Sequence, residues 1–183
     1  MLAAAHAQDL LKAAEPVCSA AAVTQAMQRV AAEVTAALAM RNPLVLCVMS
    51  GAVVFAGQLL PLLGFPLDFD YLHVTRYGDA THGGHLAWKV FPAEKLAGRV
   101  VLVLDDILDE GHTMFEIRQR ILAAGALEFH AAVFADKDLG RPKPIAADFV
   151  GIKVPNRYVF GFGLDVRGAW RNLPAIYALN SDS

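Results

Sequence analysis

Residues 100–122 constrain the fold more than any other stretch, because they combine a buried strand, an acidic tip and a helix. Val100 to Leu104 form a short aliphatic run with β-branched members, typical of a strand buried on both faces of a parallel sheet. Asp105 and Asp106 follow this run, and residues 114–122 have helical spacing. This order predicts half of a βαβ unit in an α/β fold, with a ligand site outside the carboxyl end of the strand.

The turn before this helix predicts an anion site. Gly111 permits a tight turn, and a helix N-terminus offers N–H groups and a positive dipole end to a phosphate. Adjacent acids after a strand also occur in P-loop NTPases and phospho-receiver domains. The first class needs Gly-x-x-x-x-Gly-Lys-Ser/Thr, which this chain lacks, and a receiver carries its acids after the first strand. A purely structural turn is disfavoured because paired carboxylates repel each other.

Composition limits the function further. The 183 residues are 56% hydrophobic and 19% charged, which predicts one compact domain with a sizeable core. The net charge is −2 and no block of Lys or Arg is present, which argues against nucleic acid as a partner. Two cysteines cannot form a disulfide framework, so a reduced, cytoplasmic location is expected. No signal peptide is recognisable, and the apolar stretch 44–63 is broken by Gly51 and Pro61, which argues against a membrane span.

The remaining segments extend the α/β pattern. Residues 1–42 are predicted to be helical, with one apolar stripe. A Gly-rich stretch, 76–85, predicts a hairpin that closes over the catalytic edge as a lid. The turn from Arg141 to Pro144 is predicted to be a rigid basic connector. Further strands are predicted at 44–49, 69–75, 86–90, 129–134, 148–154 and 158–162.

The segment from Val101 to Met114, VLVLDDILDEGHTM, resembles the phosphoribosyl-pyrophosphate (PRPP) signature of the type I phosphoribosyltransferases. Pro155 to Asp165, followed by Trp170-Arg171, resembles the purine-binding end of the hypoxanthine-guanine phosphoribosyltransferases. With the Lys137 segment, the resemblance covers roughly residues 40–178. It implies the type I phosphoribosyltransferase fold, a mostly parallel five-stranded sheet flanked by helices, with a small hood. It also implies one domain, with its core at about 40–150 and its hood from residues 1–20 and 151–183.

The resemblance implies roles on the PRPP side of the site. Asp105 and Asp106 would accept bonds from the ribose hydroxyls and, with Asp165, lie by Mg²⁺. Asp109 would be the general base. The pyrophosphate would meet Ser50, Gly51 and Arg171. The 5′-phosphate would lie on the loop formed by Asp109, Glu110, Gly111, His112 and Thr113.

The resemblance also implies a purine site. Lys137 would donate to the 6-oxo group, Tyr158 would stack on the base, the Val159 main chain would read its edge and Asp165 would lie beside it. Arg76 and Tyr77 would begin the lid. Four positions depart from the usual family residues: Ser50 and His112 stand where Lys is frequent, Glu110 where Ser or Thr is frequent, and Arg76 replaces a different polar residue.

The implied enzyme salvages purines. It would transfer the phosphoribosyl group from PRPP to hypoxanthine or guanine, giving IMP or GMP and pyrophosphate, with Mg²⁺ as cofactor and as a homo-oligomer (dimer or tetramer). Two alternatives stay open. A PRPP- or nucleotide-binding regulator on the same fold would be expected to carry a basic face, and a phosphoribosyltransferase for another base, such as xanthine, would share most of these residues.

Overall fold

The computed structural model describes residues 2–76 and 86–180. Helices and strands alternate through the middle of the chain, as the aliphatic runs predict. The elements are α1 (Ala4–Ala13), β1 (Glu15–Cys18), α2 (Ala20–Leu38), β2 (Leu44–Met49), α3 (Val53–Leu59), β3 (Asp68–Arg76), β4 (Leu86–Val90), β5 (Val100–Leu108), α4 (His112–Ala123), β6 (Glu128–Lys137), β7 (Phe149–Val154), β8 (Val159–Phe160) and β9 (Ile176–Ala178).

The central sheet has the strand order β4-β3-β2-β5-β6-β7. Strands β3, β2, β5, β6 and β7 are parallel, and β4 joins the edge antiparallel to β3. The predicted mostly parallel α/β fold is confirmed, although the antiparallel β4 makes the sheet six-stranded rather than five-stranded. Helix α2 packs against β7, α3 against β2 and β5, and α4 against β6.

The apolar stripe predicted near the N-terminus is the buried face of helix α2. Val23, Met27, Val30, Val34 and Leu38 are all buried, so the three-to-four spacing did mark a packed face. The prediction of one helix over 1–42 is wrong, however. Pro16 lies in β1, and the Ser19 side chain caps α2 by accepting a hydrogen bond from the Ala22 N–H at 3.2 Å.

A second sheet, with the order β1-β9-β8, joins the two ends of the chain. We call this sheet and its connecting segments the hood. The Trp170 Nε1–H donates to the Ala7 carbonyl at 2.7 Å, which ties the hood to α1. Phe162 packs on Phe134 of β6 with ring centroids 4.2 Å apart, so the hood is also anchored on the central sheet.

Strand β5 is longer than the aliphatic run predicted. It continues through Asp105 and Asp106 to Leu108, because its pairing with β6 extends to Leu108 opposite Asp136. Its pairing with β2 stops at Leu104 opposite Cys47. The last four residues of β5 therefore have one open side, and a cleft forms there.

Among the described residues, no helix is both long and apolar enough to cross a bilayer.

Candidate active site

The cleft lies at the carboxyl ends of β2, β3 and β5 and has a volume of about 530 Å³. This is the edge at which open α/β sheets bind ligands. Two hood residues complete its wall. The predicted site residues that line it are Ser50, Gly51, Asp105, Asp106, Asp109, Glu110, Gly111, Thr113, Asp165 and Arg171.

The acidic pair stands at the floor of the cleft. The Asp105 carboxylate accepts a hydrogen bond from the Asp106 N–H at 2.9 Å, and the Asp106 carboxylate accepts one from the Ile107 N–H at 2.8 Å. Burial, and then the charge of Asp106, raise the pKa of Asp105 well above its ordinary value. Burial also raises the pKa of Asp106. The negative charge of the pair is therefore not fully compensated by the protein, and a bound cation would compensate it.

Gly51 allows a close approach to this pair. A Cβ at residue 51 would lie 1.9 Å from the Asp106 Oδ2 atom, a distance that no side chain permits. The carbonyl oxygen of Gly51 faces Gly163 of the hood, where a Cβ would come within 2.3 Å. Gly163 has a φ of +98°, which glycine adopts without strain. The turn after β2 is therefore held between Asp106 and the hood, and the Met49–Ser50 peptide bond within it is cis.

The loop between β5 and α4 has the form of an anion site. Gly111 caps α4 with a φ of +84° and offers no side-chain acceptor, so the first N–H groups of the helix stay available to a ligand. The Glu110 carboxylate pairs with Arg141 at 3.1 Å. Thr113 lines the cleft, whereas His112 is exposed and does not.

Asp109 and Lys137 meet beside this loop. Their carboxylate and ammonium groups are 2.8 Å apart, and the Lys137 side chain is only 13% exposed. The strand pairing explains this contact: Leu108 lies opposite Asp136 in the parallel pair β5–β6, so the next residue of each strand is also adjacent. Asp109 lines the cleft, and the nearly buried Lys137 contacts it without being among the lining residues.

Arg171 closes the opposite wall. Its guanidinium contacts Asp165 at 2.6 Å, donates to the Gly163 carbonyl at 2.6 Å and lies 4.0 Å from Asp106. The other Asp165 oxygen accepts from the Gly168 N–H at 2.6 Å. Arg171 therefore links the hood to the acidic floor of the cleft.

Comparison with known proteins decides the family. The family model described as "Phosphoribosyl transferase domain" matches residues 18–167. The hypoxanthine-guanine-xanthine phosphoribosyltransferase of Tritrichomonas foetus is 33% identical over 155 residues, covering 84% of this chain and 85% of that protein. The hypoxanthine-guanine phosphoribosyltransferase of Streptococcus pneumoniae (strain ATCC BAA-255 / R6) is 30% identical over 161 residues, covering 87% and 89%. The chain belongs to the phosphoribosyltransferase family, in its hypoxanthine-guanine group.

The solved structures agree with this assignment. A hypoxanthine-guanine-xanthine phosphoribosyltransferase superposes with a TM-score of 0.78 at 30% identity, covering 91% of this chain and 97% of that one. The predicted family, the type I fold and the assignment as an enzyme are confirmed.

Three predicted purine contacts, Lys137, Tyr158 and Val159, are not among the residues that line the cleft of this phosphoribosyltransferase. Tyr158 is 51% exposed, and its hydroxyl donates to the Asp165 carbonyl at 3.0 Å. Val159 is buried in β8, opposite Ala178. Of the predicted lid, Arg76 ends β3, and Tyr77 lies outside the described residues with the rest of 77–85.

Two polar lining residues of β3 were not predicted as part of the site. His73 and Thr75 face the cleft, and the Thr75 hydroxyl is buried with no hydrogen-bond partner among the described residues. The signal was present, since Tyr71, His73 and Thr75 alternate along one face of the strand. What the sequence could not show is that the carboxyl end of this face borders the cleft.

The donor set of the cleft suits a hard cation. Asp105 and Asp106 offer buried carboxylate oxygens, which Mg²⁺ prefers, and their raised pKa values show a need for positive charge. Within residues 2–76 and 86–180, no three acidic, imidazole or thiol groups converge on one point. Asp165 does not join the pair, because its carboxylate is bonded to Arg171 and Gly168. Mg²⁺ commonly binds through one or two carboxylates together with substrate phosphates.

The acidic pair gives a first prediction: Asp105→Asn stabilises the ligand-free protein at neutral pH. The raised pKa means that the folded state holds the proton more tightly than the unfolded state, so stability declines as pH rises above the unfolded pKa. The amide cannot ionise and escapes this decline. We expect the melting temperature at neutral pH to rise by about 2–4 °C, as about 1 kcal/mol produces in a chain of this size. Thermal melts without Mg²⁺ check this; the difference should vanish toward about pH 4, and equal melting temperatures at neutral pH would contradict it.

Proposed function

We propose that this phosphoribosyltransferase transfers the 5-phosphoribosyl group from PRPP to hypoxanthine or guanine, giving IMP or GMP and pyrophosphate, in purine salvage. The observation that carries the proposal is the Asp109–Lys137 pair beside the N-terminus of α4. A hydrogen-bond donor, Lys137, contacts a proton acceptor, Asp109, which lines the cleft together with the phosphate-binding loop. The named activities of the relatives reported above support the same substrates.

The 5′-phosphate would bind at the loop from Asp109 to Thr113. Gly111 presents the N–H groups of the helix start, and the Thr113 hydroxyl adds a donor from within the cleft lining. Glu110 is compatible with this arrangement because its carboxylate is paired with Arg141, which offsets its negative charge. His112, being exposed, would contribute its backbone N–H rather than its side chain.

The base would bind next to this loop. In the reaction a ring nitrogen of the purine bonds to C1 of the ribose while the bond from C1 to pyrophosphate breaks and its electron pair leaves with pyrophosphate. Asp109 would accept the proton at N7, and Lys137 would donate to the 6-oxo group, which adenine lacks. Tyr158 would stack on the base, with the Val159 main chain and Asp165 along its edge. The exposed ring of Tyr158 leaves a face open for this.

Mg²⁺ would be held by the acidic floor. Asp105 and Asp106 provide the oxygens, and they would also accept hydrogen bonds from the ribose hydroxyls. When bound, Mg²⁺ supplies positive charge to the pyrophosphate leaving group. Asp165 is bonded to Arg171, so its part in metal binding would require that ion pair to open.

The pyrophosphate would lie between the turn after β2 and Arg171 of the hood. Ser50 and Gly51 would offer main-chain groups, and Arg171 the guanidinium. Arg76 and Tyr77 would begin the lid over the reacting centre. Ser50 carries no charge, so Arg171 would be the principal cation at this end.

The Lys137 assignment gives a second prediction, for Lys137→Met. Methionine keeps most of the volume but cannot donate to the 6-oxo group. We expect KM for hypoxanthine to rise by about 10–100-fold, the worth of a hydrogen bond from a charged donor, while kcat/KM for adenine does not fall. Steady-state kinetics with both bases check this. Lys153→Met, on the exposed side of β7, is the matched control and should leave both constants unchanged. An unchanged hypoxanthine-to-adenine ratio would contradict the role of Lys137.

Turnover of hypoxanthine, guanine, xanthine and adenine with PRPP and Mg²⁺ tests the function. We expect turnover of 6-oxopurines and only trace turnover of adenine. Binding of PRPP without turnover of any base would favour the regulator, and turnover of xanthine alone would favour the enzyme for another base. The composition speaks against the regulator, because a net charge of −2 and a sequence without a block of Lys or Arg argue against a basic face for nucleic acid.

We further propose that the 183 residues act as a single domain, with a core at about 40–150 and the hood from residues 1–20 and 151–183.

A homo-oligomer, dimer or tetramer, is supported by Phe69 and Tyr71, whose apolar side chains are 49% and 43% exposed on one face of β3. Sedimentation velocity measures the assembly. A cytoplasmic location is supported by Cys18 and Cys47, which are both free.

A further inference from the structure

The turn from Arg141 to Pro144 is more than a connector between β6 and β7. Lys143 reaches back from this turn to the ends of two neighbouring strands. Its Nζ atom donates to the Leu108 carbonyl at 2.6 Å and contacts the Asp136 carboxylate at 2.5 Å. The Lys143 side chain is only 11% exposed. A buried ammonium with two such partners has a defined geometry, unlike a surface lysine.

The same turn also lies next to the phosphate-binding loop, Asp109 to Thr113. A Cβ at Gly111 would lie 3.3 Å from both the Lys143 Cβ and the Pro144 Cδ atoms, so the turn lies directly beside the glycine of the loop and leaves little room for a side chain there. Arg141 contacts Glu110 of the loop as well. One segment that does not line the cleft therefore supports the loop at three places: the Leu108 carbonyl just before it, Glu110 and Gly111.

The carbonyl that Lys143 holds is at a critical place. It belongs to the Leu108–Asp109 peptide group, immediately before the proposed general base and the first residue of the loop. β5 pairs with β2 only as far as Leu104, so the carbonyl at the strand end depends on β6 and on Lys143. A small rotation of this peptide would move Asp109 and the N–H groups after it, and a displacement of about 1 Å can cost a hundredfold in rate.

We propose that Lys143 is a positioning residue for PRPP binding, which fixes the phosphate-binding loop through the Leu108 carbonyl. It touches no substrate and acts through the loop. This inference rests on the proposed function, since it assigns the loop to the 5′-phosphate of PRPP. It predicts that loss of Lys143 affects the PRPP half of the reaction more than the base half.

Lys143→Met tests the proposal, with Lys153→Met as the matched control. We expect KM for PRPP to rise about 10-fold, KM for hypoxanthine to stay within about 2-fold, and Lys143→Arg to restore most of the PRPP affinity. A role in stability alone would lower the melting temperature and the yield of active protein without changing KM. A KM for PRPP equal to that of Lys153→Met overturns the proposal.

The double variant Lys143→Met/Asp136→Asn keeps the test decisive if the single variant does not fold. It leaves no unpaired carboxylate in place of the ion pair, but the Leu108 carbonyl still lacks its donor. We expect the same 10-fold rise in KM for PRPP, and a wild-type value overturns the proposal. Turnover by the wild-type enzyme distinguishes failure of the proposed function from failure of this inference. Absence of 6-oxopurine turnover refutes the proposed function. Normal wild-type turnover, together with an unchanged KM for PRPP in the double variant, refutes only the role of Lys143.

Discussion

Asp109→Asn is expected to lower kcat by about 10²–10⁴-fold while leaving the fold intact. The magnitude is that of one well-placed proton acceptor in the transition state. Asparagine keeps the shape of the side chain and can still accept a hydrogen bond from Lys137, but it cannot take a proton from N7. The Asp109 side chain is 50% exposed, so the substitution removes little packing, although it takes the counter-charge from Lys137, whose side chain is 13% exposed. Single-turnover measurement of IMP formation from hypoxanthine isolates this step.

Asp138→Asn is the matched control for this experiment. Asp138 is exposed, follows Lys137 directly, and accepts a hydrogen bond from the Gly140 N–H at 2.9 Å, which an asparagine side chain preserves. The control should turn over at the wild-type rate. KM for PRPP in Asp109→Asn should stay within about 3-fold, because the N–H groups of the loop are unchanged. A kcat for Asp109→Asn close to that of the control would exclude Asp109 as the base.

The parts of the site that sequence predicted are those whose chemistry is local. The aliphatic runs 44–49 and 100–104 became central strands because a strand covered on both faces needs apolar residues at every position. Gly111 and the residues after it form the helix start that an anion site requires. In each case a few consecutive residues contain the whole physical argument.

What sequence could not predict depends on pairing between distant segments. The Asp109–Lys137 contact follows from the register of β5 against β6, and Lys143 reaches the Leu108 carbonyl across 35 residues. Neither partner shows in its own sequence that the other is near. Register is set by the assembled core, so these contacts appear only in the structure.

The short strands of the hood were missed for a related reason. β1 and β9 have four and three residues, too few for any periodicity to be read. Their pairing joins Glu15 to Ala178, at opposite ends of the chain. The predicted strand 158–162 shortened to Val159–Phe160 because the backbone takes positive φ angles from Gly161 to Gly163. Glycine at 161 and 163 was the signal for that turn.

Gly51→Ala is expected to reduce kcat/KM for PRPP by about 10²-fold, because the new methyl group would occupy the place of the Asp106 carboxylate. The Cβ position is 1.9 Å from Asp106 Oδ2 and 2.5 Å from its Cγ. The backbone at residue 51 cannot retreat, since its carbonyl oxygen already lies against Gly163. Asp106 must therefore move, and it would lose its hydrogen bond from the Ile107 N–H. Crowding of this kind also costs about 1–3 kcal/mol of stability.

Gly57→Ala separates this effect from a general effect of adding a methyl group. Gly57 lies within α3, where a Cβ would meet no atom within 4 Å, and alanine favours a helix over glycine by about 0.5–1 kcal/mol. The control should melt at a higher temperature and keep its kinetic constants. Parallel titrations of PRPP at saturating hypoxanthine give the comparison. A Gly51→Ala enzyme with kcat/KM for PRPP within about 3-fold of the control would show that the Asp106 carboxylate does not need its place against the turn after β2.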